Sequence, residues 1–364
     1  MILSQIINEI EKSFPLSLQE NYDNCGLLVG DPKQEISAVL LTLDCTEQVI
    51  EEAISVSANL IIAHHPIIFS GLKKITGSTY VERAVIKAIK NNIAIYAIHT
   101  NLDNIYTGVN AEISKRLGLR NCSILLPKKG MLRKLVTFIP EASFESVSQA
   151  VFDAGAGFIG NYSDCGFSVS GIGTFRGNEQ SNPAIGQRGL KEKVGEMRFE
   201  TIYPVYLENK ILSALFESHP YEEVAYDIYP LDNIFSRTGS GMIGDLSEPM
   251  EEKAFLAFLK KSMQATCIRH TQLRNKPVCK VAVCGGSGSF LLHKAILAGA
   301  DVYISADFKY HEFFDADGRI VIADIGHYES EQFTKNLLFD KLKEIFPTFA
   351  LHLSQINTNP VNYF

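Results

Sequence analysis

Apolar positions along this chain follow two periods. Residues 38–44 (AVLLTLD), 60–65 (LIIAHH) and 93–99 (IAIYAIH) are short apolar runs that read as buried strands. Between them, 46–58 and 79–92 carry helical spacing, with Thr46 placed to cap the first, and 108–118 reads as a further helix. The start, MILSQIINEIEKSF, has an amphipathic helix pattern. Strands of this kind separated by helices predict a mainly parallel sheet covered on both faces. The last third repeats the style. Strand 280–284 leads to a helix from Ser287 to about Ala298, then strand 301–306, a short helical stretch near 308–316, strand 320–325 and a long helix over 327–346. The outer thirds therefore read as two similar α/β halves of one domain.

The middle differs. MLRKLVTFIP reads as a strand, FESVSQAVFDAGAG as a helix and NYSDCGFSVSGIGTFRG as hairpin strands; ETIYPVYLENKILSALFESHP is strand then helix, and EEVAYDIYPLD a last strand. The order β-α-β-β-α-β is the split βαβ, or ferredoxin-like, arrangement. Its flanks, LLPKKG and PLDNIFSRTGSGM, have the composition of linkers. The expected division is an α/β domain from 1–128 plus 244–364, interrupted by an inserted α+β domain at 129–243.

Composition narrows the class. The chain has 364 residues, 46% hydrophobic and 21% charged, which suits a soluble globular protein with about two to three cores. A net charge of -7 argues against nucleic-acid binding, and the basic clusters at Lys128-Lys129 and 188–193 are short. No apolar stretch approaches the ~18 residues of a membrane span. Seven cysteines, an odd number with no C-x-x-C pair, fit free thiols in a reducing compartment. The N-terminus lacks a basic n-region and a cleavage site, so a cytoplasmic location is expected.

The chemistry concentrates where strands end. His64 and His65 close the run 60–65 before Pro66. In open parallel sheets, sites form outside the carboxyl ends of strands. Neighbouring strand residues point to opposite faces, so both rings reach one site only if the backbone turns there. Otherwise one is a buried, hydrogen-bonded His and the other lies on the surface. In HTNLDN (99–104), Asp103 is a carboxylate ligand or a helix cap, and His99 a supporting or a core residue. In GHYESE (326–331), His327 and Glu331 stand i, i+4 on one helix face, as two ligands of one ion or as an exposed ion pair. Three separate segments delivering imidazoles and carboxylates to carboxyl edges favour a metal site over three coincidences. His64, His65, Asp103, His327 and Glu331 form a mixed nitrogen–oxygen set that suits zinc, manganese or iron. That is one ligand too many for a tetrahedral site, which suggests two divalent ions bridged by a carboxylate. Asp307 and His311 are a proton donor, a partner orienting a ligand imidazole, or surface residues. GGSG (285–288) reads as a tight turn, with an anion cradle as the alternative.

AHHP (63–66), HTNLDN and GHYESE, with NYDNCGLLVG (21–30) and ISADFKYHE (304–312), resemble the Nif-three-like family, often labelled GTP cyclohydrolase 1 type 2 homologues. The middle segment, with SHPYEEVAYDIYPL (218–231), is similar to the PII- or CutA-like domain of the longer bacterial members. The resemblance implies two divalent ions, with His65, Asp103 and Glu331 on one, His64, His327 and Glu331 on the other, and Glu331 bridging. It also implies a toroidal homo-hexamer of two stacked trimers, and a metal-dependent hydrolase of a nucleotide or other small molecule, with His311 as general acid or base. The alternatives are a non-enzymatic metal-binding regulatory or adaptor protein and a ring-shaped nucleic-acid clamp.

Overall fold

A computed structural model describes all 364 residues. The chain divides into two compact units, Met1–Pro127 with Ser236–Phe364, and Lys128–Phe235. The return to the larger unit comes earlier than residue 244, because strand Gly239–Met250 pairs with Arg120–Pro127 and Val278–Ser287. No helix is long and apolar enough to cross a membrane.

The larger unit is a mixed α/β fold built on two sheets. In the first, Ala38–Thr42, Leu60–Ala63 and Ala94–Ala97 run parallel, flanked by antiparallel Gly26–Val29 and by parallel Ala350–Leu353 from the far end of the chain. In the second, Val278–Ser287, Val302–Ala306 and Val321–Asp324 run parallel, extended by antiparallel Arg269–His270 on one side and by Gly239–Met250 and Arg120–Pro127 on the other. The two expected halves thus exchange edge strands.

Alternation explains why the parallel strands carry few polar positions. Val39, Leu41, Leu60 and Ile62 of the first sheet share one core with Val281, Val283, Val302 and Ile304 of the second. Helix Leu3–Ser13 contributes Leu3, Ile6 and Ile10 to that shared core. The alternate residues Leu40 and Ile61 face outward, under helices Glu47–Ser55 and Tyr80–Lys90. Thr46 and Thr79 cap those helices through Val49 N and Glu82 N. Both faces of each parallel strand are therefore dry, as near-continuous apolar runs require.

The smaller unit has the expected β-α-β-β-α-β order. Its antiparallel sheet runs Gly166–Arg176, Lys191–Pro204, Leu132–Pro140, Tyr226–Leu231. Helices Phe144–Asp153 and Glu208–Ser218 cover one face, packing Val147, Val151, Ile211 and Leu215 on Leu135, Ile139, Phe199 and Tyr203.

Three local expectations change. Strand 60–65 ends at Ala63, and the backbone bends at the two histidines. The expected helix 327–346 is two helices, His327–Glu331 and Thr334–Ile345, separated by a turn at Gln332 and Phe333. Gly285 and Gly286 lie inside strand Val278–Ser287, where the pairing register with Val302–Ala306 shifts. They form a bulge rather than a strand-to-helix turn.

Candidate metal centre

The carboxyl ends of both parallel sets face one place. His64 and His65 follow Leu60–Ala63, Asp103 ends the short helix after Ala94–Ala97, and His327 opens the helix after Val321–Asp324. After Ala63 the chain keeps sheet contact through His64 N to Thr42 O and His65 N to Leu43 O while it bends. The two rings diverge without separating: their centroids stand 4.9 Å apart.

Each imidazole is anchored through Nδ1. His64 Nδ1 donates to the carbonyl of Ile98 at 2.8 Å. His65 Nδ1 sits 2.7 Å from Asp44 Oδ1, His99 Nδ1 2.7 Å from Asp23 Oδ1, and His327 Nδ1 2.6 Å from Asp307 Oδ2. Such anchors fix the tautomer and leave Nε2 as the outward ligand atom. Asp307 reaches His327 from a left-handed backbone, φ +59°, a conformation Asp tolerates better than most residues.

The free ring nitrogens converge on Glu331, a carboxylate only 3% exposed. Its Oε2 lies 2.9 Å from His65 Nε2 and 3.1 Å from His327 Nε2, and those two nitrogens are 3.3 Å apart. Its Oε1 lies 3.9 Å from His64 Nε2, which in turn is 3.6 Å from Asp103 Oδ1. Ligand atoms of His65, His327 and Glu331 fall within 4.8 Å of one another, as do those of His64, Asp103 and Glu331, and those of His64, His65 and His99. By proximity His64 groups with Asp103 and His65 with His327, each beside Glu331, whereas the resemblance implies His65 with Asp103 and His64 with His327. The cause is the bend after Ala63: it turns fully buried His64 toward the first sheet's own helix and His65 toward the second sheet.

Two atoms test whether cations fit here. His64 Nε2 and Asp103 Oδ1 are buried without a hydrogen-bond partner. With Nδ1 donating to Ile98, His64 Nε2 presents a lone pair. Two acceptors facing each other in a dry site are unfavourable unless a cation lies between them. The residues present fit a divalent ion.

The electrostatics of the cluster point the same way. Burial opposes protonation of His65, but Asp44 and Glu331 overcome it and push its pKa up to about 10. Burial likewise opposes a charged His327, and the Glu331 charge with the Asp307 hydrogen bond raises it to about 11. Burial, then repulsion from Glu331, lifts Asp103 to about 7. Glu331 goes the other way: burial would raise it, yet His327 and the other imidazoles hold it well below the usual carboxylate range. Metal binding at such a cluster competes with protons for the imidazoles and carboxylates, so its affinity depends on pH.

Hydrogen bonds from the Gly285-Gly286 bulge fix the residues beside Glu331 and Asp103. Gly286 N donates to Ser330 Oγ, which donates to His327 O. Gly285 N donates to Asn110 Oδ1, whose amide donates to Asp103 O. Asp44→Asn and Asp307→Asn, which weaken the anchors of His65 and His327, are each expected to lower metal affinity by about 10–100-fold. Competition with a chromophoric chelator measures this; an unchanged affinity in both variants would show the anchors to be idle.

His311 is not in this gathering. It is exposed on Tyr310–Ala316, with its ring 5.2 Å from that of Tyr310. Sequence reasoning gives no role to Asp44 or Asp23 and reads Gly286 as part of a turn or anion cradle rather than as a neighbour of Glu331, and His99 sits closer to the centre than a core residue would. Asp44 follows a parallel strand directly, so the strand-end signal that marked His64 also marked it.

The chain is similar over its whole length to known proteins. A family model described as Duf34/NIF3 (NGG1p interacting factor 3) matches residues 1–360. The chain is 42% identical over 365 residues to a GTP cyclohydrolase 1 type 2 homolog of Halalkalibacterium halodurans, covering 98% of each. It is 39% identical to the Bacillus subtilis protein of that name, covering 99% of this chain and 98% of the other. A crystal structure of a Bacillus cereus protein related to NIF3 superposes with a TM-score of 0.89 at 39% identity, over 100% of this chain and 99% of that one. Match and motifs extend across both units, and the chain belongs to the Duf34/NIF3 family.

Proposed function

We propose that this protein holds two divalent metal ions, zinc first with manganese or iron as alternatives, and is a metal-dependent hydrolase of a nucleotide or another small molecule. His64 with Asp103 would hold one ion and His65 with His327 the other, with Glu331 shared. The observation that carries this reading is the convergence of anchored imidazoles on one buried carboxylate, beside two buried acceptors that no protein group satisfies. Divalent ions held there supply Lewis acidity, which polarises a substrate and brings water's ionisation toward neutral pH. The chain's own residues supply the rest. Asp44 and Asp307 hold the rings of His65 and His327 in register, and His311, four residues beyond Asp307, is the proposed general acid or base. The wider proposal is a cytoplasmic homo-hexamer of two stacked trimers whose smaller unit is a PII- or CutA-like module.

Elemental analysis of freshly purified protein should return close to two ions per chain, and His64→Ala a clear deficit. Assayed with zinc or manganese against GTP and a nucleotide panel, the protein should turn over at least one compound. His311→Ala should slow that turnover by about 10²–10⁴-fold with metal content unchanged. Two tightly held ions with no turnover across the panel would reject the hydrolase and favour the regulatory or adaptor reading.

A further inference from the structure

The smaller unit contains a cavity of about 520 Å³ that the metal chemistry does not use. It lies on the sheet face away from helices Phe144–Asp153 and Glu208–Ser218, since Glu196 and Phe138 alternate with the core residues Phe199 and Ile139. That volume is within the range of small-molecule sites.

A buried carboxylate forms part of its wall. Glu196 is 8% exposed, and its Oε1 accepts a hydrogen bond from Tyr221 Oη at 2.9 Å. Tyr221 is itself fixed through its backbone: Tyr221 N donates to His219 Nδ1 at 3.1 Å, and His219 Nε2 donates to Phe138 O at 3.1 Å. This relay explains the SHPYEE stretch, which the metal centre leaves without a role. The second oxygen, Oε2, has no protein hydrogen bond. It lies over Gly173, where any Cβ would collide with it. Glycine in mid-strand marks a close approach, here of a carboxylate across the sheet face.

The remaining lining sets the ligand's character. Phe138, Phe175 and Tyr221 give flat apolar walls, with the Phe175 and Tyr221 ring centroids 6.2 Å apart. Glu196, Glu222 and Glu223 face only Arg176 as an opposing charge. A buried carboxylate with a free oxygen, in an acidic aromatic pocket, selects for a cation that also stacks. We propose that this cavity binds a small organic cation, an amine or amidine on a flat apolar frame. Its charged nitrogen would donate to Glu196 Oε2 while its frame lies against Phe138, Phe175 and Tyr221.

The test titrates full-length, metal-loaded protein with benzamidine, benzamide and benzoate, which share shape and differ in charge. Benzamidine should bind saturably with a Kd on the order of 1 mM, as suits so few atoms, and about tenfold or more tighter than the other two. Glu196→Gln keeps an acceptor for Tyr221 and should weaken benzamidine about tenfold or more while metal content stays at the wild-type value. Glu331→Gln should leave benzamidine affinity unchanged, which separates this cavity from the acidic metal centre. Equal binding of benzoate, wild-type affinity in Glu196→Gln, or no saturation by benzamidine up to about 10 mM would each overturn the proposal. If Glu196→Gln fails to fold, the ranking of the three probes on wild-type protein decides.

Discussion

Glu331→Gln is expected to abolish tight metal binding while leaving most of the fold in place. The substitution keeps shape and removes charge. Glu331 meets His65, His327 and His64 at once, so the loss reaches both metal positions rather than one. Affinity should fall by more than the roughly 10–100-fold seen when only an orienting partner is lost. The wild-type protein gains stability from its ions as RT ln(1 + [L]/Kd), about 4 kcal/mol when free metal is near a thousand times Kd. The variant should lose most of that, and for a unit of this size melting should fall by about 10 °C in metal-supplemented buffer. In excess chelator the gap should narrow, since neither protein then holds ions. Elemental analysis and parallel melting curves measure both effects. Full metal content in Glu331→Gln would show that the carboxylate is not shared.

Gly286→Ala should have nearly the same effect from the opposite side. Gly286 has φ +62°, and a Cβ there would run into Glu331 Oε1 and stand 3.2 Å from His327 Cε1. Neither neighbour is a loose end: Glu331 is buried and His327 is held by Asp307. The added methyl displaces the ligands themselves. Gly118→Ala is the matched control. Gly118 has φ +65° with nothing within 4 Å of a built Cβ. It should cost only the left-handed backbone penalty of about 1–2 kcal/mol and keep its ions. If the two variants hold equal metal, the steric argument fails and only backbone strain remains.

Much of this architecture was legible before any coordinates. The parallel strands announced themselves as short apolar runs because both their faces are dry, and Thr46 stood at its cap position for a local reason. The segments carrying His64, His65, Asp103, His327 and Glu331 were found because strand ends are local features. What escaped was non-local. Nothing in Arg120–Pro127 or Ala350–Leu353 states which sheet it will join, since pairing partners lie far along the chain. The first part of Lys191–Pro204, KEKVGEMR, hides its strand because it is mostly charged, with Val194 and Met197 as its apolar side chains. The bulge at Gly286 reads as a turn until Glu331 is seen filling the space above it. The grouping of His64 and His65 depends on a bend one residue past the strand, below the resolution of any periodicity.

The exchange of edge strands has a consequence for how the protein is made. Ala350–Leu353 pairs with Ala38–Thr42, Ser354 N donates to Leu41 O, and Thr358 Oγ1 donates to Asp44 Oδ2 at 2.5 Å. Asp44 in turn orients His65. During translation the AHHP segment emerges long before His327, Glu331 and the strand that completes its sheet. A nascent chain on the ribosome therefore presents scattered imidazoles but no finished ion cage. The cluster around Glu331 is therefore assembled only after the segments carrying His327, Glu331 and Ala350–Leu353 have been made and have docked on Ala38–Thr42.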